Sequence, residues 1–217
     1  LGPVAHPGPV QRCPELLEPW LRFVRGVVDA ADLPLNVSRE MLQQDRHLVQ
    51  IRKWIAGRVL KTLDEMRTGA ADDYRTFWRA FGRVLKEAYL AGEEHRARLD
   101  QLVLFGSSAD PEALVSLAEY RSRMPEGQEA IYYLTGPNRS ALESSPHLEA
   151  VREAGFEVLY LTDPVDELVV ERLTEYEGRP LRSAARGDLE LGGEAVRTAA
   201  KAEREARRQK LDPRLGR

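Results

Sequence analysis

At 217 residues, with 31% charged side chains that nearly cancel to a formal −3, the chain can bury one large core or two small ones. The balanced charge argues against a nucleic-acid binder that works by bulk electrostatics. The single Cys13 excludes an internal disulfide framework and fits a reducing compartment. No apolar run reaches the length of a membrane span, so the expectation is a cytoplasmic α/β protein with no membrane partner.

In chain order, residues 1–13 are rich in Pro and Gly and read as a flexible lead-in without the apolar segment of a signal peptide. Pro14–Leu21 suggests a short helix and Phe23–Val28 a strand with an apolar edge in need of a neighbour. Pro34 holds Leu33 extended, and Asn36 and Ser38 are both N-cap candidates. Leu48, Ile51, Ile55, Val59, Leu63 and Met66 then recur at helical spacing, predicting a long helix to about Arg67, closed by Thr68-Gly69. Its polar face is basic (Arg46, Arg52, Lys53, Arg58, Lys61) and reads as solvated. A second helix starts near Asp72-Asp73 with a stripe of Tyr74, Phe77, Trp78, Phe81, Val84, Leu85 and Ala88, and Gly92 is its stop. A third covers about Glu93–Leu102. Three helices on short turns imply a helical bundle.

Phe105–Pro111 reads as a loop, and Ser116 with Glu119 has capping-box spacing. The remainder alternates. A strand over Ala130–Thr135 leads to a helix within Arg139–Ala154 that restarts at Pro146. Gly155 stops it before a strand over Phe156–Leu161. A helix follows from Asp163-Pro164 to about Tyr176, then Gly178 and a strand over Leu181–Ala184. Such alternation, with one strand almost wholly apolar, predicts a mainly parallel sheet covered by helices. The fold class expected is α/β: a helical connector bundle followed by a small three-layer αβα domain. The segments are 14–37, the remnant of a larger α/β layer; 38–110, the connector; 111–190, the αβα subdomain; and 191–217, a charged, Ala-rich linker.

Chemistry-bearing residues are few. Arg39 stands at or before a helix start, where the dipole favours anions; a cation gains nothing locally, so a phosphate or carboxylate from another domain is its natural target. An ordinary exposed or salt-bridged arginine is the alternative, as a simple cap is for Asn36. No Gly-x-x-x-x-Gly-Lys loop or Gly-x-Gly-x-x-Gly fingerprint is present, so the chain alone is expected neither to hold ATP tightly nor to hydrolyse it. Asp163, Asp166 and Glu167 cluster at the carboxyl end of a predicted parallel strand, where ligands bind open α/β sheets. They could hold Mg²⁺ in a stand-alone enzyme, or merely cap a helix and complement its dipole. His6, His47, His95 and His147 are scattered without metal spacing, and no metal site is expected from them.

Several of these stretches resemble one family. Leu35-Asn36-Val37-Ser38-Arg39-Glu40, with Leu42 and Gln43-Gln44, resembles the catalytic-loop motif of the Hsp90 chaperone middle domain, nearest its bacterial branch. Trp20–Asp29, Phe77–Gly82, Glu126–Gly136, Ser145–Glu149 and Thr162–Glu167 are similar to further family motifs in family order, covering roughly 14–190. The resemblance implies the later two-thirds of that middle domain. It implies that Arg39, flanked by Asn36 and Gln43, reaches the γ-phosphate of ATP held with Mg²⁺ in a separate N-terminal ATPase domain. The chain would bind no cofactor of its own. Implied partners are that domain, a C-terminal dimerisation domain, co-chaperones and unfolded client proteins, with Glu167 and Leu168 near the client surface. Bacterial relatives often carry an aromatic residue where Leu168 stands. A folded but functionally silent segment is a third reading.

Overall fold

The structure, a computed structural model, describes residues 13–28 and 46–185. Two compact units divide the chain, 1–62 and 63–217. The lead-in up to residue 12, the stretch carrying Asn36, Arg39 and Gln43, and the 191–217 linker lie outside the described residues.

In the first unit Pro14 and Pro19 each open a separate 3-10 turn, Pro14–Leu16 and Pro19–Leu21. They replace the single expected helix because Pro19, lacking an N–H, would break it from within. Trp20 and Leu21 are buried. The strand expected over Phe23–Val28 is absent among the described residues, and Val27 stays 81% exposed. Extended backbone becomes a strand only when a neighbour completes the ladder, and none is described for it. Arg52 Nε donates to the Glu15 carbonyl at 2.8 Å, tying the first 3-10 turn to helix α1 (Arg46–Gly69). Along α1 the buried positions are Leu48, Ala56, Leu60 and Leu63, with Ile51, Ile55, Val59 and Met66 half-buried beside them.

The second unit continues through Ala70 into α2 (Ala71–Lys86), whose buried residues are Tyr74, Trp78, Gly82, Leu85 and Lys86. This stripe is rotated from the one expected: Phe77 and Val84 are half-buried and Phe81 is 38% exposed. Gly82 explains the rotation, since a Cβ there would lie 2.6 Å from the Trp78 ring. Its bare backbone lets the indole lie flat on the helix. A 3-10 turn, Glu87–Leu90, follows, and Gly92 takes φ 127° in the link to α3 (Arg96–Leu102).

The expected loop from Phe105 begins instead inside strand β1 (Leu104–Ser107), which forms a hairpin with β2 (Leu114–Ser116). Ser116 then caps α4 (Leu117–Arg123) with both arms of a capping box, as its spacing predicted. β3 (Ile131–Thr135), α5 (Arg139–Glu143), α6 (Pro146–Glu153) and β4 (Val158–Leu161) follow, Pro146 restarting the helix as expected. α7 (Asp166–Arg172) stops well short of Tyr176. The intervening residues make a second hairpin, β5 (Glu175–Tyr176) and β6 (Arg179–Ser183), turned by Glu177 at φ 46° and Gly178 at φ 72°. Paired positive φ values mark the turn that suits a twisted hairpin.

The sheet order is β2-β1-β4-β3-β6-β5. Its three central strands, β4, β3 and β6, are parallel; the β1–β2 hairpin joins antiparallel to β4 on one side, and β5 joins antiparallel to β6 on the other. The fold is α/β, as expected. The chain leaves β3 toward β4 on one side and returns past β3 to β6 on the other. Right-handed crossovers therefore place α5–α6 and α7 on opposite faces. One face buries Tyr132, Leu134, Leu142, Leu148, Val151, Val158 and Tyr160 together, with Tyr132 stacked on Phe156 at 5.6 Å between ring centroids. α7 is thus carried at the carboxyl end of β4 on the opposite face.

Candidate functional site

Of the residues singled out from sequence, Asp163, Asp166, Glu167 and Leu168 fall together where β4 passes into α7; Asn36, Arg39 and Gln43 lie outside the described residues. The turn closes on itself. Asp166 N–H donates to the Asp163 carbonyl at 2.8 Å, and Asp163 N–H donates to Asp166 Oδ2 at 2.9 Å. Asp163 does not cap the helix: the N-cap position is Val165, with no side-chain cap bond. Asp166 instead reaches back to the Asp163 N–H and closes the turn that precedes the helix.

The residue missed from sequence is Lys86. Its Nζ donates to Asp163 Oδ2 at 2.8 Å and lies 2.7 Å from Asp166 Oδ1. The second approach is a charge contact rather than an aligned hydrogen bond, since Asp166 Oδ1 has no hydrogen-bond partner of good geometry. The Lys86 side chain is 4% exposed and that of Asp166 1%, while Asp163 keeps 34%. The ammonium also lies 4.7 Å from the centre of the Phe105 ring, a favourable cation–π distance. Burial raises the Asp166 carboxyl above its usual range, and the nearby ammonium opposes that rise.

This geometry bears on the Mg²⁺ alternative. The cation held between Asp163 and Asp166 is Lys86 itself, and among the described residues no group of three His, Cys, Asp or Glu side chains is placed to hold a metal ion. Lys86 lies where a bound ion would bridge the two aspartates. Its signal in sequence was positional: it follows Trp78 and Gly82 at intervals of four, so a charge stands on the buried stripe.

Glu167 and Leu168 point the other way. With Asp166 and Val169 both fully buried, the two residues between them are swung outward by the helical repeat, and Leu168 is 43% exposed. The 3-10 turn that packs against α7 carries a second exposed leucine, Leu90, at 47%. Among the described residues no helix is long and apolar enough to cross a membrane.

A family model described as "Hsp90 protein" matches residues 10–215. The chain belongs to the Hsp90 family. It is 51% identical over 194 residues to the chaperone protein HtpG of Streptomyces coelicolor, covering 89% of this chain and 30% of that one. The HtpG of Geobacter sulfurreducens is 52% identical over 194 residues, 89% of this chain and 30% of its own length. That of Mycolicibacterium gilvum is 48% identical over 199 residues, 92% of this chain and 31% of its own. The chain thus spans about a third of the length of the curated Hsp90-family relatives it matches.

Proposed function

We propose that this chain works as the middle-domain segment of an ATP-dependent Hsp90-type chaperone in the bacterial cytoplasm. In this reading Arg39 reaches the γ-phosphate of ATP held with Mg²⁺ by a separate N-terminal ATPase domain, with Asn36 and Gln43 beside it. Glu167 and Leu168 offer a contact surface to partly folded clients. A C-terminal dimerisation domain and co-chaperones complete the set of partners. The chain is not itself an ATPase; the hydrolysis belongs to the whole protein.

The observation that carries this reading is the family match over 10–215, which takes in the Asn36–Gln43 motif. The chemistry is electrostatic. A guanidinium offered from outside the nucleotide pocket offsets charge on the phosphoryl oxygens as they separate, and such a group is worth on the order of 10³–10⁵ in rate. A side chain that acts mainly in the transition state affects turnover more than ground-state binding. Arg39→Ala in a full-length protein is therefore expected to lower ATP turnover sharply while leaving ATP affinity nearly intact. Equal losses in both would count against the role given to Arg39.

A further inference from the structure

We propose that Lys86 is a positioning residue for the client-facing surface: by gripping Asp163 and Asp166 it fixes the first turn of α7, and with it the direction in which Glu167 and Leu168 face. The inference rests on the reading of those two residues as client contacts.

Holding α2 against α7 does not of itself require charge. An apolar side chain of similar length could lie along Phe105 without the desolvation that a buried ammonium and carboxylate suffer. What the ion cluster adds is direction. Lys86 bonds to Asp163 Oδ2 at 2.8 Å and approaches Asp166 Oδ1 at 2.7 Å, while Asp166 Oδ2 accepts the Asp163 N–H at 2.9 Å. The two side chains and the backbone between them thus form a ring closed through one ammonium. That ring lies one residue before Glu167. With Asp166 wholly buried, α7 cannot rotate about its axis without pulling a carboxylate off its cation. A purely apolar contact is non-directional and would fix that rotation less sharply. Phe105, on β1, bears on the ammonium from the sheet side at 4.7 Å, so the grip is anchored in the sheet as well as in α2.

The test uses the 217-residue chain and reduced, carboxymethylated lactalbumin as a permanently unfolded probe, with binding read by fluorescence anisotropy and folding by thermal melting. Lys86→Met/Asp166→Asn removes both fully buried charges and leaves the one-third-exposed Asp163 carboxylate to water, and the amide oxygen can still accept the Asp163 N–H. This variant is expected to melt cooperatively near the parent temperature yet bind the probe at least fivefold more weakly. Leu168→Ala, run alongside, is expected to weaken binding as well. Parent-like binding by the double variant, with Leu168→Ala weakened, would overturn the role of Lys86 alone. Parent-like binding by Leu168→Ala would overturn the client-surface reading and the inference with it. If the double variant does not fold, hydrogen exchange on Asp163→Ala decides the matter, since Asp163 is one-third exposed and its truncation leaves Lys86 beside Asp166. The amides of Leu168 and Val169, both bonded to the Val165 carbonyl, should exchange at least tenfold faster than in the parent. Unchanged protection would overturn the proposal.

Discussion

Replacing Lys86 with Met alone would leave Asp166 buried without its cation, and the sign of the resulting pH dependence follows from the carboxyl's surroundings. Burial already lifts its pKa above the unfolded value, against the pull of Lys86, and loss of the ammonium lifts it further. Such a group binds its proton more tightly in the native state. Its stabilising contribution is full below the unfolded pKa and is lost as pH rises through the folded one. Lys86→Met is expected to cost about 3–5 kcal/mol at neutral pH. Part of that cost should return on acidification toward about pH 5. Denaturant titrations at the two pH values check this, and a cost that does not vary with pH would contradict it. The sequence showed the aspartates side by side but not their cation, which comes from 77 positions away. A stripe drawn through Phe81 and Val84 put Lys86 on the flank; drawn through Gly82, it would have placed the charge in the core.

Among the elements, α2 depends most on a single absence. Gly82 is poor for a helix interior, yet a methyl group there would press on the Trp78 indole at 2.6 Å, and Trp78 is only 6% exposed. The ring is rigid and its surroundings are packed. Gly82→Ala is therefore expected to destabilise by about 1–2 kcal/mol, overpacking outweighing the gain in helix propensity. A shift of the urea midpoint at unchanged slope would show it, and a stabilised variant would refute it. The helices were legible because their apolar residues repeat, and the Ser116 capping box because its spacing is local. The hairpins were not. β2 has three residues and β5 two, too few for alternation to register, and their pairing is decided by partners elsewhere in the sheet. The helix expected to run to Tyr176 failed for the same reason: Glu177-Gly178 takes the positive φ of a tight turn, and β6 supplies the partner strand.

At the level of the whole molecule, the second unit is built around β3 and β4. Ile131, Tyr132, Leu134 and every residue of β4 are buried. The amides of Tyr132–Leu134 and Val158–Leu161 should be the last to exchange with deuterium, and those of the β5–β6 hairpin among the first. Exchange at uniform rates across the sheet would argue against this ordering. Family membership was legible because several separate motifs stand in one order, a kind of information that needs no geometry.

The two terminal strands of the sheet have a consequence of their own. An open sheet margin invites further chains to add, and proteins blunt that hazard by keeping the outermost strand short. Among the described residues the borders are the three residues of β2 and the two of β5, and the backbone N–H of Ser116 is already taken by Glu119 at 2.8 Å. A scaffold whose proposed work brings it against sticky, unfolded polypeptide would otherwise risk becoming the seed of a fibril. Margins this brief give an incoming strand too little to register on.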